Sequence, residues 1–257
     1  MPKNTMLKVI LVFGLGITCA LVIRGCLLQK REDATKPLVG EEAPFQEMES
    51  VEKPYSGKII VIDPGHGGVD PGKVGVKGTL EKDINLEISL LLKKALEEEG
   101  MTVVMTRQED KGLYEESSSN KKMQDLKERL AIIDGCSPEL VVSIHQNSYT
   151  DASVCGPQIF YHESSEKGAF AAGCLQKCMN EELEIARPRT EKANDNYYLL
   201  TKCEAVMVIA ECGFLSNPKE EALLKKEEYQ ERILKALKEG ICTYFDKQSE
   251  EIAEPQI

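Results

Sequence analysis

Three apolar runs in this chain each end on a residue able to bind a metal or move a proton. KIIVIDPGHGG delivers His66, ELVVSIHQN delivers His145 and AVMVIAECGF delivers Glu211. Short, continuous, β-branched runs of this kind read as strands covered on both faces. Between them the apolar spacing becomes helical. Ile84, Leu86, Ile88, Leu91, Leu92, Ala95 and Leu96 recur within Leu80 to Glu99 and stop at Gly100, a glycine placed as a C-terminal cap. Lys58 to Asp63, Met101 to Thr106 and Leu140 to Ile144 are the first three strand candidates, and Asn120 to Gly135 is the second helix. Pro157 to Tyr161 adds a short strand, Ala169 to Leu183 a third helix and Ala205 to Ala210 the last strong strand. One or two amphipathic helices follow Asn217-Pro218 as far as Phe245, with proline at the first helical position. This alternation predicts the α/β class: a single three-layer domain with a mostly parallel twisted sheet flanked by helices. In such sheets the loops at the carboxyl ends of the strands open on one crevice, so residues far apart in sequence share a site.

The ends of the chain differ in texture from this domain. An unbroken apolar run, Val9 to Ile23, follows Lys3 and Lys8 and precedes Arg24, and Met6, Leu7 and Gly25 to Leu28 extend it toward the ~20 residues of a bilayer crossing. Residues 1–28 therefore read as an uncleaved membrane anchor. Ile23-Arg24-Gly25-Cys26 fits a lipoprotein processing box poorly, because arginine precedes the glycine. Residues 29–56, rich in charge and proline, read as a polar tether; residues 57–246 form the domain, and residues 247–257 a polar tail. A net charge of -11 argues against a nucleic-acid partner, which needs a basic face. Of nine cysteines, Cys19 and Cys26 lie in or beside the apolar run, and the odd remainder has no paired metal-type spacing. Most of them read as small buried apolar residues, the Cys174 and Cys178 pair included.

His66 and His145 are two of only three histidines, and both sit where a loop leaves a predicted strand. With Glu81 at the start of the first helix they match the three-ligand set of a catalytic zinc, which keeps a fourth position for water. His162 also follows a strand and is the competing ligand. Glu211 comes at the end of a strongly apolar run; burial there raises a carboxyl pKa and suits proton transfer, although metal ligation and a structural carboxylate are open alternatives. Asp63 reads either as an orienter of His66 through its second ring nitrogen or as a turn cap. Ser143 and Asn147 flank His145, and Arg107 and Arg129 are candidates for reading a substrate carboxylate. No nucleophile elbow and no phosphate-binding loop accompanies these residues.

IDPGHGG, GTLEKDINLEI, VVSIHQNS and ECGFLSNPKEEALL, in this order, resemble the zinc-dependent N-acetylmuramoyl-L-alanine amidases of the amidase-3 family over about Lys58 to Phe245. The resemblance implies that His66, Glu81 and His145 bind Zn2+ and that Glu211 is the catalytic acid/base. It implies peptidoglycan as substrate, cut at the amide between N-acetylmuramic acid and L-alanine. PQIFY, Tyr198-Leu199-Leu200 and FLSNP resemble the germination-specific type of spore formers. That type implies stem-peptide removal ahead of a peptidoglycan deacetylase, giving muramic lactam in spore cortex, and a membrane-anchored domain outside the cytoplasm in the space around the forespore. Alternatives are a vegetative wall amidase, another zinc wall hydrolase such as a deacetylase or carboxypeptidase, and a silent wall-binding scaffold. Three protein ligands, one on a glycine-rich loop, also raise the expectation of a protein partner that stabilises the metal site. Cys212 and Cys155 depart from the family pattern, and oxidation of Cys212 beside Glu211 is expected to impair activity.

Overall fold

A computed structural model describes residues 53–253. The anchor expected over residues 1–28, most of the tether and the last four residues of the tail lie outside them. Among the described residues no helix is long and apolar enough to cross a membrane.

In chain order the elements are β1 (Ile59–Pro64), α1 (Glu81–Glu98), β2 (Thr102–Met105), α2 (Lys121–Cys136), β3 (Leu140–Asn147), β4 (Gln158–Tyr161), α3 (Glu166–Glu182), β5 (Lys192–Ala193), α4 (Tyr198–Lys202), β6 (Met207–Phe214), α5 (Pro218–Leu224) and α6 (Glu227–Ala253). One six-stranded sheet has the order β2-β1-β3-β6-β4-β5. β1 pairs in parallel with β2 and β3, and β3 with β6, while β4 runs antiparallel to β6 and carries β5 parallel to itself. The sheet is thus mixed. Residues 148–157 contain no helix to return the chain to the far end of the sheet, so β4 must start at the end where β3 stopped and run back.

Side-chain alternation divides the core into two layers. Ile60, Ile62, Val142, Ile144, Val208 and Ala210 face the large cluster built with α1, α3 and α6. Val61, Val141, Met207 and Ile209 face a smaller one, closed by Ile133 of α2 and by Leu199 and Leu200 of α4. These are the three layers expected from the sequence. α6 continues past Phe245 to Ala253 through the stretch read as a polar tail. Gln248 donates to the Tyr244 hydroxyl, a side-chain pair four apart that supports the helix beyond its apolar face, and the Ser249 hydroxyl bonds back to the Phe245 carbonyl. β5 and α4 have no counterpart in the sequence reading. Two exposed residues and one five-residue helix are too short for any periodicity to register.

Candidate active site

His66 follows β1 in the left-handed region, with φ of 62°, and Gly67 and Gly68 follow it with φ of 136° and 58°. Two buried arginines fix this turn. Arg107 donates to the carbonyls of Pro64 (2.9 Å), Gly65 (3.0 Å) and Lys82 (2.9 Å). Arg129 donates to the carbonyls of Pro64 (2.8 Å) and His66 (2.6 Å) and to Asp63 Oδ1 (2.6 Å). The expectation that they read a substrate carboxylate is therefore corrected: both are buried and spent on backbone carbonyls and internal carboxylates. Asp63 does not reach His66. Its oxygens take Thr106, Ser143 and Arg129, each at 2.6 Å. Burial alone would raise its pKa, but the Arg129 charge and the two hydroxyl bonds outweigh that and hold it at about 2. The carboxylate on the second nitrogen of His66 is Asp70, 3.0 Å from Nδ1.

The loop from His66 returns to Glu81 at the start of α1. Glu81 Oε2 accepts the Lys73 N–H at 2.7 Å, and Glu81 N–H donates to the Lys73 carbonyl at 3.0 Å. Its other oxygen, Oε1, lies 3.2 Å from His66 Nε2 and 2.9 Å from His145 Nδ1, and accepts the Gln146 N–H at 3.1 Å. His145 sits at the carboxyl end of β3, which joins it to this pair. Gly65 is required by close approach: a Cβ there would stand 2.2 Å from His145 Cε1. A side chain at Gly72 would likewise run into Glu81 and His66, at 2.5 and 2.6 Å.

His66, Glu81 and His145 therefore present one donor atom each, all within 4.8 Å of one another. Zinc bonds of about 2.0–2.2 Å place neighbouring donors of a tetrahedral site about 3.3 Å apart, and the separations of 3.2 and 2.9 Å from Glu81 Oε1 to the two histidines have that scale. The electrostatics agree. Burial would lower the pKa of His66, yet its contacts with Asp70 and Glu81 raise it to about 9, while the two imidazoles hold Glu81 far below the usual carboxylate range. The pocket draws positive charge, and its donor set fits a zinc ion.

Glu211 lies opposite His145 in the β3–β6 ladder. It is 6% exposed, and Oε2 is buried without a partner, while Oε1 accepts a bond of 3.3 Å from the Tyr197 hydroxyl. Burial, reinforced by the charge of Glu81 and opposed by His145 and Tyr197, pushes its pKa up to about 7. A carboxyl in that state exchanges a proton readily near neutrality.

His162 is excluded from the group by the reversal of β4, whose carboxyl end is at the opposite side of the sheet; its Nδ1 contacts Ser164 Oγ at 2.8 Å. Ser143 is buried against Asp63, and the Asn147 side chain accepts its neighbour's N–H at 2.8 Å. The seven described cysteines are unpaired, with Cys174 and Cys212 buried and Cys155 exposed. Sequence reasoning missed Asp70, Tyr197, Asn85 and Gln146. Asn85 donates to the Gly65 carbonyl at 3.1 Å and receives Gln146 Nε2 at 3.2 Å, one helical turn beyond Glu81. That spacing was the one available signal.

A family model described as N-acetylmuramoyl-L-alanine amidase matches residues 60–243. The chain belongs to that family. It is an N-acetylmuramoyl-L-alanine amidase by this membership and by its relatives. The germination-specific N-acetylmuramoyl-L-alanine amidase of Bacillus subtilis (strain 168) is 36% identical over 200 residues, 77% of this chain and 84% of that protein. The CwlD amidase of Clostridioides difficile, solved in complex with the GerS lipoprotein, is 37% identical with a TM-score of 0.72, covering 74% of this chain and 99% of that one. The catalytic domain of CwlV, the amidase of Bacillus (Paenibacillus) polymyxa var. colistinus, is 30% identical with a TM-score of 0.63 over 74% and 98% of the two chains.

Proposed function

We propose that this amidase is zinc-dependent, that His66, Glu81 and His145 hold the ion, and that Glu211 carries the proton. The observation that carries the reading is the juxtaposition of three converging donors with a buried, unpartnered carboxylate oxygen. A bound zinc ion supplies Lewis acidity, lowering the pKa of water toward 7 and polarising a carbonyl. The chain's own residues do the rest. Asp70 fixes the ring of His66, and Arg107 and Arg129 fix the turn that bears it. Glu211 Oε2 takes a proton from the attacking water as its oxygen adds to the lactyl carbonyl carbon. It returns that proton to the alanine nitrogen as the C–N bond breaks, leaving a lactyl carboxylic acid and a peptide with a free amine. Tyr197 holds Oε1 throughout.

The kinship to the germination-specific enzyme supports stem-peptide removal during spore cortex maturation, ahead of a deacetylase and muramic lactam formation. The complex of the C. difficile relative with a lipoprotein supports a protein partner for this chain too. The apolar run Val9 to Ile23 serves as a membrane anchor with the domain outside the cytoplasm, around the forespore. Mass spectrometry of peptidoglycan digested with and without a chelator tests the chemistry. Free amino-terminal alanine is expected, lost with chelator and restored by zinc; release that survives chelation, or glycan deacetylation in its place, defeats the reading. For the spore role, cortex made without this chain is expected to lack muramic lactam.

A further inference from the structure

The sequence run SNPKEEALL places two adjacent glutamates on α5, and neither enters the chemistry above. Both are buried, Glu221 completely. Their partners are backbone amides of two different parts of the site. Glu221 reaches back to the ligand-bearing loop: Oε1 and Oε2 each lie 2.9 Å from Lys77 N, and Oε1 accepts the Thr79 N–H at 3.3 Å. Glu220 accepts the N–H of Phe214, at the end of the strand carrying Glu211, and of Gly156, at 2.9 and 2.8 Å. α5 is itself pinned by Asn217, whose side chain accepts from Lys219 and Glu220 and whose carbonyl accepts the Glu221 N–H at 2.9 Å.

We infer that Glu221 is a positioning residue for the metal centre: through Lys77 and Thr79 it sets the loop that carries His66 at one end and Glu81 at the other. The inference rests on the zinc reading above. The connection from Glu221 to the ligands is continuous. Gly75 N–H bonds the Thr79 carbonyl at 2.8 Å and Gly78 N–H the Gly75 carbonyl at 3.0 Å, closing the turn over the carboxylate. Val74 pairs with Leu80, and Lys73 next to it exchanges two bonds with Glu81. The fit is close enough that a Cβ on Gly75 would lie 2.3 Å from Glu221 Oε1. With glycines at 67, 68, 72, 75 and 78, the loop has little stiffness of its own, and a buried anion accepting its amides supplies what the sequence leaves out. Glu221 touches no metal ligand, so its effect is on where the donors stand.

The test is zinc affinity, measured by competition with a chromogenic chelator on the full chain, together with amide exchange of the zinc-free protein. Glu221→Ala is expected to weaken zinc binding about 10–100-fold, the scale of losing an outer support of a metal ligand. It is also expected to speed exchange at Lys77 and Thr79, and to recover near-normal turnover in excess zinc. Glu221→Gln, which keeps one carbonyl acceptor, falls between it and the parent. Leu237→Ala, a core truncation in α6, supplies a comparable loss of thermal stability and leaves zinc affinity within about twofold. Unchanged zinc affinity in folded Glu221→Ala or Glu221→Gln overturns the inference, as does an equal loss in Leu237→Ala. If Glu221→Ala fails to fold, Glu221→Gln against Leu237→Ala decides. A parent chain that takes up no zinc sinks the metal reading itself, a result separate from any difference between variants.

Discussion

Glu81 and Glu211 are the same residue type in one pocket, and their surroundings drive them in opposite directions. Glu81 is surrounded by donors: a backbone amide at each oxygen and two imidazoles at one of them. Glu211 has a single hydroxyl, Tyr197, as its hydrogen-bond partner, and its second oxygen has none although His145 and Gln158 stand opposite it in the sheet. The first stays ionised far below the usual range, and the second is pushed up to about 7. Two carboxylates separated in this way are suited to the division of labour proposed above, one as permanent anion and one as proton carrier. The division comes from hydrogen-bond supply rather than from depth, since both are nearly inaccessible.

Removing a donor from the well-supplied half should have the largest effect. His145→Ala and His66→Ala are expected to lose zinc and with it essentially all turnover, which metal analysis and peptide release read together. Glu211→Gln is expected to keep zinc and lose about 10²–10⁴ in kcat, the range for removing a general acid/base. If Glu211→Gln lost metal while Glu81→Gln kept it, the two roles would have to be exchanged. Beneath the site, Arg129→Met leaves Asp63 buried without its cation and is expected to cost about 3–5 kcal/mol by denaturant unfolding. Asp63 also predicts acid sensitivity. Its folded pKa of about 2 is below the unfolded value near 3.8, so its stabilisation is complete above about pH 4 and lost as pH falls through about 2. Unfolding curves taken from about pH 5 down to about pH 2 would show about 2 kcal/mol of this loss in the parent and much less in Arg129→Met. The smallest effect is Tyr197→Phe. It removes a bond that favours ionised Glu211, the form that accepts the proton from water, so the acidic limb of the kcat profile should move to higher pH with zinc content unchanged.

How much of this was legible in the sequence follows the same contrast. The strand-ending positions of His66, His145 and Glu211 could be read, because apolar runs and glycine loops are local signals. Glu81 came from its place at a helix start, and the family motifs gave the four residues their chemistry. What the sequence concealed were partnerships across the fold. Asp63, next to the histidine turn, serves Arg129 and Ser143, while Asp70 within the loop orients the ring. Arg107 and Arg129, read as substrate-facing, are internal braces. The reversal of β4 was invisible for a related reason: strand direction is set by what connects two strands, and four apolar residues look the same either way. That reversal disposed of His162, which only strand direction separates from the true cluster.

The same reversal leaves the protein a place to change. The chain both leaves β3 and re-enters the sheet at β4 on the catalytic side, through residues 148–157. Lengthening that segment would disturb no ladder pairing, and whatever was added would emerge on the side of the sheet where β3 delivers His145. An insertion at this one surface loop would therefore reach the catalytic side of the sheet without touching the strands that hold His145 and Glu211.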